Sequence, residues 1–332
     1  MSISERQADA PQRSRVDLLA DVAEMYYVDG LEQREIADKI GLSRSNVSRL
    51  LTEARRSGIV EIRIRRPLGR TRSLEQELVD TFGIADARVL AARPRQDAGT
   101  ALAEVGALAA RLLVERLQDG QTIGISWGTS LEALVGALHP PRAYSVDVVQ
   151  LMGGLNWVSP ALSGDRLGQR LADALGGRFT AMLAPATIVS SALADEFLRQ
   201  PGIADVIERG RTADLSLVGI GSYKTGSARV LFENANLTAA ERREIESAGA
   251  VGDICARLYT IDGEICDLRI NDRIAAIGLD ALRASRCVIG IARGVEKSEG
   301  MVGALRGRFV DVLVTDEPTA LAVLDRARRA ES

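Results

Sequence analysis

Histidine is nearly absent: the 332 residues contain one, His139. Cysteine is scarce as well, with Cys255, Cys266 and Cys287 and no C-x-x-C spacing among them. Neither set supplies the ligands of a zinc site, so no metal and no cofactor is expected. Free thiols in a core fit a reducing compartment. His139 stands before Pro140-Pro141 at a helix end, a structural setting. Acid–base chemistry would therefore fall to carboxylates, and Asp253, Asp267 and Asp272 have no evident partner in the sequence. Also missing is any apolar run of membrane-spanning length. The first 15 residues are polar and carry Pro11 and several charges, unlike a signal peptide. The expected location is the cytoplasm, with no membrane partner.

What the chain does contain is a composition able to build a sizeable core, 46% hydrophobic and 26% charged, with length for one to three domains. The net charge of −3 argues against nucleic acid as a bulk partner, but the distribution of charge matters more than its sum. Between Ser43 and Arg66 seven arginines (44, 49, 55, 56, 63, 65 and 66) face only Glu53 and Glu61, a local +5, whereas 17–38 is strongly acidic.

That basic stretch overlaps QREIADKIGLSRSNVSRLL, Gln33 to Leu51. Ile36, Ala37, Ile40, Leu42, Val47, Leu50 and Leu51 recur at helical spacing. Gly41 falls where a first helix must stop and the backbone turns to positive φ, and Ser43 is placed to cap a second helix. Small Ala37 lets the two cross closely. The pattern predicts a helix-turn-helix, whose second helix can enter a major groove. Ser43, Arg44, Ser45, Asn46, Ser48, Arg49 and Arg55 are the DNA-binding candidates: Arg pairs bidentately with guanine, Asn with adenine, and Ser reaches bases or phosphates.

A supporting helix is expected over 13–28, with Val16, Leu19, Ala20, Ala23 and Tyr27 on one face and Gly30 ending it. The following helix starts at Leu31-Glu32 with no Ser/Thr cap. IVEIRIRRP after Gly58 alternates like a half-buried strand and fits a wing beside the helices or a plain connecting strand equally well. A helix over 72–83 would link two domains and help chains pair. The expected division is a DNA-binding domain at 1–66, a linker helix at 67–84 and an effector domain at 85–332.

From residue 85 apolar strands alternate with helices. Strands are expected at 87–92, 122–126, 146–152, 179–186, 215–222, 287–294 and 310–316, and helices at 100–117, 130–138, 165–175, 195–198, 203–209, 298–306 and 318–330. Such alternation predicts an α/β fold, a doubly wound and largely parallel sheet with helices on both faces. Ligands bind beyond the carboxyl ends of such strands. Four strands end in polar, glycine-containing loops: Ser126-Trp127-Gly128-Thr129-Ser130, Gly153-Gly154, Gly219-Ile220-Gly221-Ser222 and Gly294-Val295-Glu296-Lys297. In the first, hydroxyls at a helix start favour an anion, although no Walker Gly-Lys-Ser/Thr follows. An ammonium from Lys297 beside that hydroxyl-rich loop would suit a phosphate. A Schiff base at Lys297 would need a depressed pKa.

These stretches, with VGDICARLYTIDGEICD and EKSEGMVGALRGRFVDVLVTDEPTA, resemble the SorC (SorC/DeoR-like) family of bacterial sugar-responsive transcriptional regulators, and the resemblance covers nearly the whole chain. It implies an N-terminal helix-turn-helix and an effector domain like the fold of glucosamine-6-phosphate deaminase and ribose-5-phosphate isomerase. It also implies sugar-phosphate effectors, palindromic operator DNA, and a homodimer or homotetramer. Carried over by position, Ser126, Gly128, Thr129 and Ser130 form the phosphate loop and Lys297 is a phosphate ligand. Gly153, Gly154, Asp165, Gly221 and Ser222 would line the pocket, and Asn271 and Arg273 are further candidates. Some relatives carry an arginine just before the double glycine. Met152 stands there in this chain, which favours a monophosphate or a neutral sugar over a bisphosphate. The resulting expectation is a transcription regulator whose operator affinity is set by a carbohydrate effector, not an enzyme. A sugar-phosphate isomerase or deaminase, and a constitutive DNA binder with a ligandless second domain, are the alternatives.

Overall fold

A computed structural model of the chain describes residues 15–60, 68–155, 159–235 and 237–331. It divides into two compact units, Met1–Pro67 and Leu68–Ser332.

Among the described residues the first unit holds three helices: α1 Arg15–Tyr27, α2 Gln33–Ile40 and α3 Arg44–Arg56. Ile36 and Ala37 of α2 and Val47, Leu50, Leu51 and Ala54 of α3 close on Leu19, Val22 and Ala23 of α1 in a core of their own. The buried face of α1 is rotated from the one expected. Val16 is 62% and Tyr27 39% exposed, because Val22 takes the central place. Gly41 ends α2 at φ 71° and donates its N–H to the carbonyl of Ala37. The Ser43 hydroxyl accepts from the N–H of Asn46 at 3.3 Å to start α3. At the unorthodox start of α2 the Glu35 carboxylate accepts from the N–H of Glu32 at 2.8 Å, a substitute for a Ser/Thr cap. The strand expected from Ile59 falls mostly outside the described residues. Ile59 and Val60 themselves are bends packed on the three-helix core.

The second unit runs α4 Arg72–Phe82, β1 Asp86–Leu90, α5 Ala98–Arg116, β2 Thr122–Ile125, α6 Thr129–Ala137, β3 Asp147–Gln150, α7 Gly164–Leu175, β4 Arg178–Thr180, α8 Ser191–Leu198, α9 Pro201–Arg211 and β5 Leu215–Gly219. It continues with β6 Gly221–Ser222, α10 Gly226–Asn234, α11 Ala239–Ser247, β7 Gly252–Ile254, β8 Arg257–Tyr259, α12 Leu279–Ala284, β9 Val288–Ile291, α13 Ser298–Arg306, β10 Val312–Asp316 and α14 Glu317–Glu331. Seven strands form one sheet in the order β1-β10-β9-β5-β2-β3-β4, and every pairing in it is parallel. Successive residues go to opposite faces: Val148, Leu217, Ile289 and Val314 join one core cluster, and Val149, Val218, Val288 and Leu313 the other. This is why the strands read as continuous apolar runs. Each such side chain taken fully from water contributes roughly 1.5–3 kcal/mol.

Strands β2, β3 and β4 build outward in one direction, and β5, β9 and β10 in the other. The order reverses between β2 and β5, where a crevice opens at the carboxyl edge of an open α/β sheet.

Several elements depart from expectation. The strand expected over 179–186 stops at Thr180, because the chain then crosses the strand ends, with Pro185 bridged to Gly154 and Thr187 to Ile274. A second, antiparallel sheet, β6-β7-β8, packs beside the main one. Residues after Gly219 leave the main sheet to enter it, and α10 and α11 fill a stretch left unassigned in the sequence. The helix expected over 72–83 is present, and its Leu74, Glu75 and Leu78 are buried within the second unit.

Candidate functional site

On α3, Arg44, Ser45, Asn46, Ser48, Arg49 and Arg55 are all exposed, as is the cap Ser43, while Val47, Leu50, Leu51 and Ala54 face the core. The helix thus turns an apolar side inward and a basic, hydrogen-bonding side outward. Glu53 is held by Arg15 of α1 at 2.6 Å, and that bond, with the opposite charge, lowers its carboxyl pKa.

In the second unit a cavity open to solvent lies at the β2/β5 reversal. Its described lining comprises Ser126 to Ser130, Gly219 to Gly221, Thr225, Asp253, Cys255 and Lys297. Three helix starts meet there: α6 after Gly128, α10 after Thr225 and α13 after Lys297. Gly128 has φ 115°, a conformation closed to residues with a Cβ, and it sets the first turn of α6 facing the cavity. The leading N–H groups of a helix have no partner within it and carry partial positive charge. The Thr225 hydroxyl is buried with no hydrogen-bond partner among the described residues.

The charged groups are set by burial. Lys297 is the one cation among the described lining residues. Burial pulls its ammonium below the ordinary range, while Glu296 and Asp253 pull it back up. Asp253, 5% exposed, is pushed up to about 6 by burial, against the N–H of Ala256 and the charge of Lys297. Cys255 is pushed up to about 12 by burial, with Asp253 adding to the effect, which favours the neutral thiol.

Asp253 and Cys255 reach the cavity through the β7–β8 hairpin. Its two turn residues, Cys255 and Ala256, have φ of 52° and 62°, the conformation that favours Asn-Gly. Hydrogen bonds brace it: the Asp253 carboxylate accepts from the N–H of Ala256 at 3.3 Å, and the half-buried guanidinium of Arg257 donates to the carbonyls of Asn271, Ile274 and Ala276 at 2.6, 3.1 and 3.3 Å.

Of the ligand candidates expected from the sequence, Ser126, Gly128, Thr129, Ser130, Gly221 and Lys297 come together around this cavity. Gly153, Gly154, Asp165 and Ser222 do not line it. The N–H of Gly153 bonds the carbonyl of Ala275, and Gly154 pairs with Ala184 and Ala186, so crossing chain engages the backbone of both. Asp165 is exposed on the outer side of α7. Ser222 is buried in β6, paired with Gly252. Asn271 and Arg273 also lie outside the lining: the Asn271 amide donates to the carbonyl of Cys266, and Arg273 pairs with buried Glu241 at 2.8 Å. Asp253, Cys255 and Thr225 were missed as site residues, since each depends on the unforeseen sheet or on α10.

An exposed basic helix and a polar crevice at a sheet reversal are features of DNA-binding proteins that carry a small-molecule site. The family described as "Putative sugar-binding domain" matches residues 66–325, and "Sigma-70, region 4" matches 20–57. The sorbitol operon regulator of Klebsiella pneumoniae is 31% identical over 93% of this chain and 98% of its own. Its full-length crystal structure superposes with a TM-score of 0.70 at 29% identity, covering 93% of this chain and 99% of that one. The transcriptional regulator LsrR of Enterobacter sp. (strain 638) is 32% identical over 93% of both chains. The deoxyribonucleoside regulator of Bacillus subtilis is 29% identical over 94% of this chain and 99% of its own. The chain belongs to the SorC/DeoR-like family of transcriptional regulators, which join a helix-turn-helix to a sugar-binding domain.

Proposed function

We propose that this regulator binds a sugar monophosphate in the β2/β5 crevice and that occupancy resets its affinity for operator DNA. The observation that carries this reading is the meeting of the α6 start, Lys297 and buried Asp253 in one cavity. The phosphate sits against Thr129, Ser130 and Lys297, and Asp253 accepts from a sugar hydroxyl. Met152 is 2% exposed in the core, which leaves no cation in its place for a second phosphate. The parallel-sheet unit is read as a relative of the glucosamine-6-phosphate deaminase and ribose-5-phosphate isomerase fold. On DNA, Arg44, Ser45, Asn46 and Arg49 contact bases, and Ser43, Ser48 and Arg55 contact the backbone. The protein works in the cytoplasm as a homodimer or homotetramer, with α4 helping chains pair and half-site spacing matched to two recognition helices.

A lysine with a lowered pKa beside a carboxyl near 6 could also serve acid–base catalysis. We read the pair as a binding device, since the relatives matched over nearly their whole length are regulators, and a product assay with sugar phosphates is expected to stay blank.

The test is direct. The full chain selects its site from a pool of random duplexes, and its affinity for that duplex is measured by fluorescence anisotropy with and without each sugar phosphate. A palindromic site, and a change of about fivefold or more with one sugar phosphate, are expected. An affinity indifferent to the whole panel would instead support the ligandless DNA binder. Sorbitol and deoxyribonucleosides, for which two relatives are named, join the panel together with their phosphates.

A further inference from the structure

Lys297 is bracketed by hydrogen bonds to a single helix. On one side, the N–H of Gly294 donates to the hydroxyl of Thr319 at 2.9 Å. Thr319 is 1% exposed, and its own N–H donates to Asp316 at 3.2 Å. Arg293 in turn pairs with Asp316 at 2.7 Å. On the other side, Arg326 donates to the hydroxyl of Ser298 at 2.6 Å and pairs with Glu299 at 3.0 Å. Thr319 and Arg326 both belong to α14.

The first residue of the same helix faces a different segment. One carboxylate oxygen of Glu317 accepts from the Thr71 hydroxyl at 3.3 Å and from the N–H of Ala92 at 2.8 Å. Thr71 is the residue from which α4 starts. It lies four residues from Pro67, where the DNA-binding unit ends. Around it the chain is sewn to the end of β1: the Thr71 N–H bonds the carbonyl of Val89 at 3.0 Å, and buried Glu75 grips Arg70 at 2.6 Å and the N–H of Val89 at 3.0 Å.

Pocket loop and exit segment therefore hang on residues two apart in one helical turn. We propose that the first turn of α14 couples them, with Thr319 positioning the loop that carries Lys297 and Glu317 positioning Thr71. A shift of the loop on phosphate binding moves that turn, and the turn moves the point where the chain leaves for the DNA-binding unit. The regulatory meaning rests on the pocket reading above, but the coupling is measurable with no ligand present, so each can fail alone.

A coupling claim needs a response at one end to a change at the other. Amide hydrogen exchange of the full chain supplies it. Thr319→Val is expected to speed exchange at Gly294 to Ser298 and also, by about threefold or more, at Thr71 to Glu75 and Ala92. Glu317→Ala is expected to speed exchange at Thr71 and Ala92 and, by a similar factor, at Gly294 to Ser298. Glu317→Gln keeps an acceptor oxygen and is expected to restore the loop to near its original rate. Helix α7, across the sheet, should not respond to any of the three. Effects confined to the contact each variant removes would overturn the proposal, as would exchange raised uniformly across the unit.

Discussion

The two units hold their polar residues in opposite ways. On α3, Arg44, Ser45, Asn46 and Arg49 stand in solvent, supported from beneath by Val47, Leu50 and Leu51. In the crevice, Ser126, Ser130 and Asp253 are buried and Lys297 is largely covered. An exposed arginine loses little on meeting a phosphate and reaches it through long-range attraction that salt screens. A buried ammonium has already lost most of its water, so a bound phosphate regains for it what burial took. Contacts at the helix should thus be individually modest and salt-sensitive, and those in the crevice fewer, stronger and pH-sensitive.

Ile36→Ala removes a fully buried side chain from the small three-helix core and is expected to cost about 2–5 kcal/mol. Circular dichroism should show the smaller unit melting early and DNA binding lost, with phosphate-ligand binding by the second unit unchanged. In the crevice, Lys297→Met should weaken sugar-phosphate binding by about 2–3 kcal/mol, on the order of a hundredfold by calorimetry, while effector-free operator affinity stays as it was.

Asp253 gives the pH signature. Its folded pKa of about 6 lies above the ordinary carboxylate value, so the folded protein holds a proton that the unfolded chain releases. Stability of the larger unit falls as pH rises from about 4 to about 6 and is level above, a loss on the order of 2–3 kcal/mol. Denaturant titrations of Asp253→Asn, which cannot ionise, should lack that slope. A matching slope in both proteins would move the titration to another group.

At the exposed helix the effects shrink. Arg49→Ala should weaken operator binding by about 1–3 kcal/mol and relax preference at one base position. If Arg49 touches only phosphate, the loss is uniform across sequences and the salt slope falls. Ser43→Ala removes the cap of α3 and should cost about 1 kcal/mol of stability, seen as a small drop in melting temperature.

The same contrast explains what could be read from the sequence. The helix-turn-helix is built from neighbours, and Gly41, Ser43 and the apolar spacing all lie within one stretch, so its exposed face followed from periodicity. The cavity draws on five separate stretches. Its loop at 126–130 and Lys297 were legible because each follows an apolar strand of the parallel sheet. Asp253 and Cys255 were not: they ride on three-residue strands around a Cys-Ala turn that carries none of the usual Gly or Asn punctuation. Asp165, Gly153 and Gly154 lie away from the cavity for the converse reason. They stand near strand ends in sequence, but Asp165 is exposed on α7 and crossing chain engages the backbone of the glycines.

The most direct test of the central claim is a paired thermal-shift measurement, sugar phosphate against the same sugar without its phosphate, on the full chain and on Lys297→Met. At 100 times its Kd a ligand adds about 2.7 kcal/mol of stability. One sugar phosphate is expected to raise Tm of the unaltered chain, its unphosphorylated sugar is not, and Lys297→Met is expected to lose the shift. A shift by the unphosphorylated sugar alone, or one that survives Lys297→Met, would contradict the phosphate site at Thr129 and Lys297.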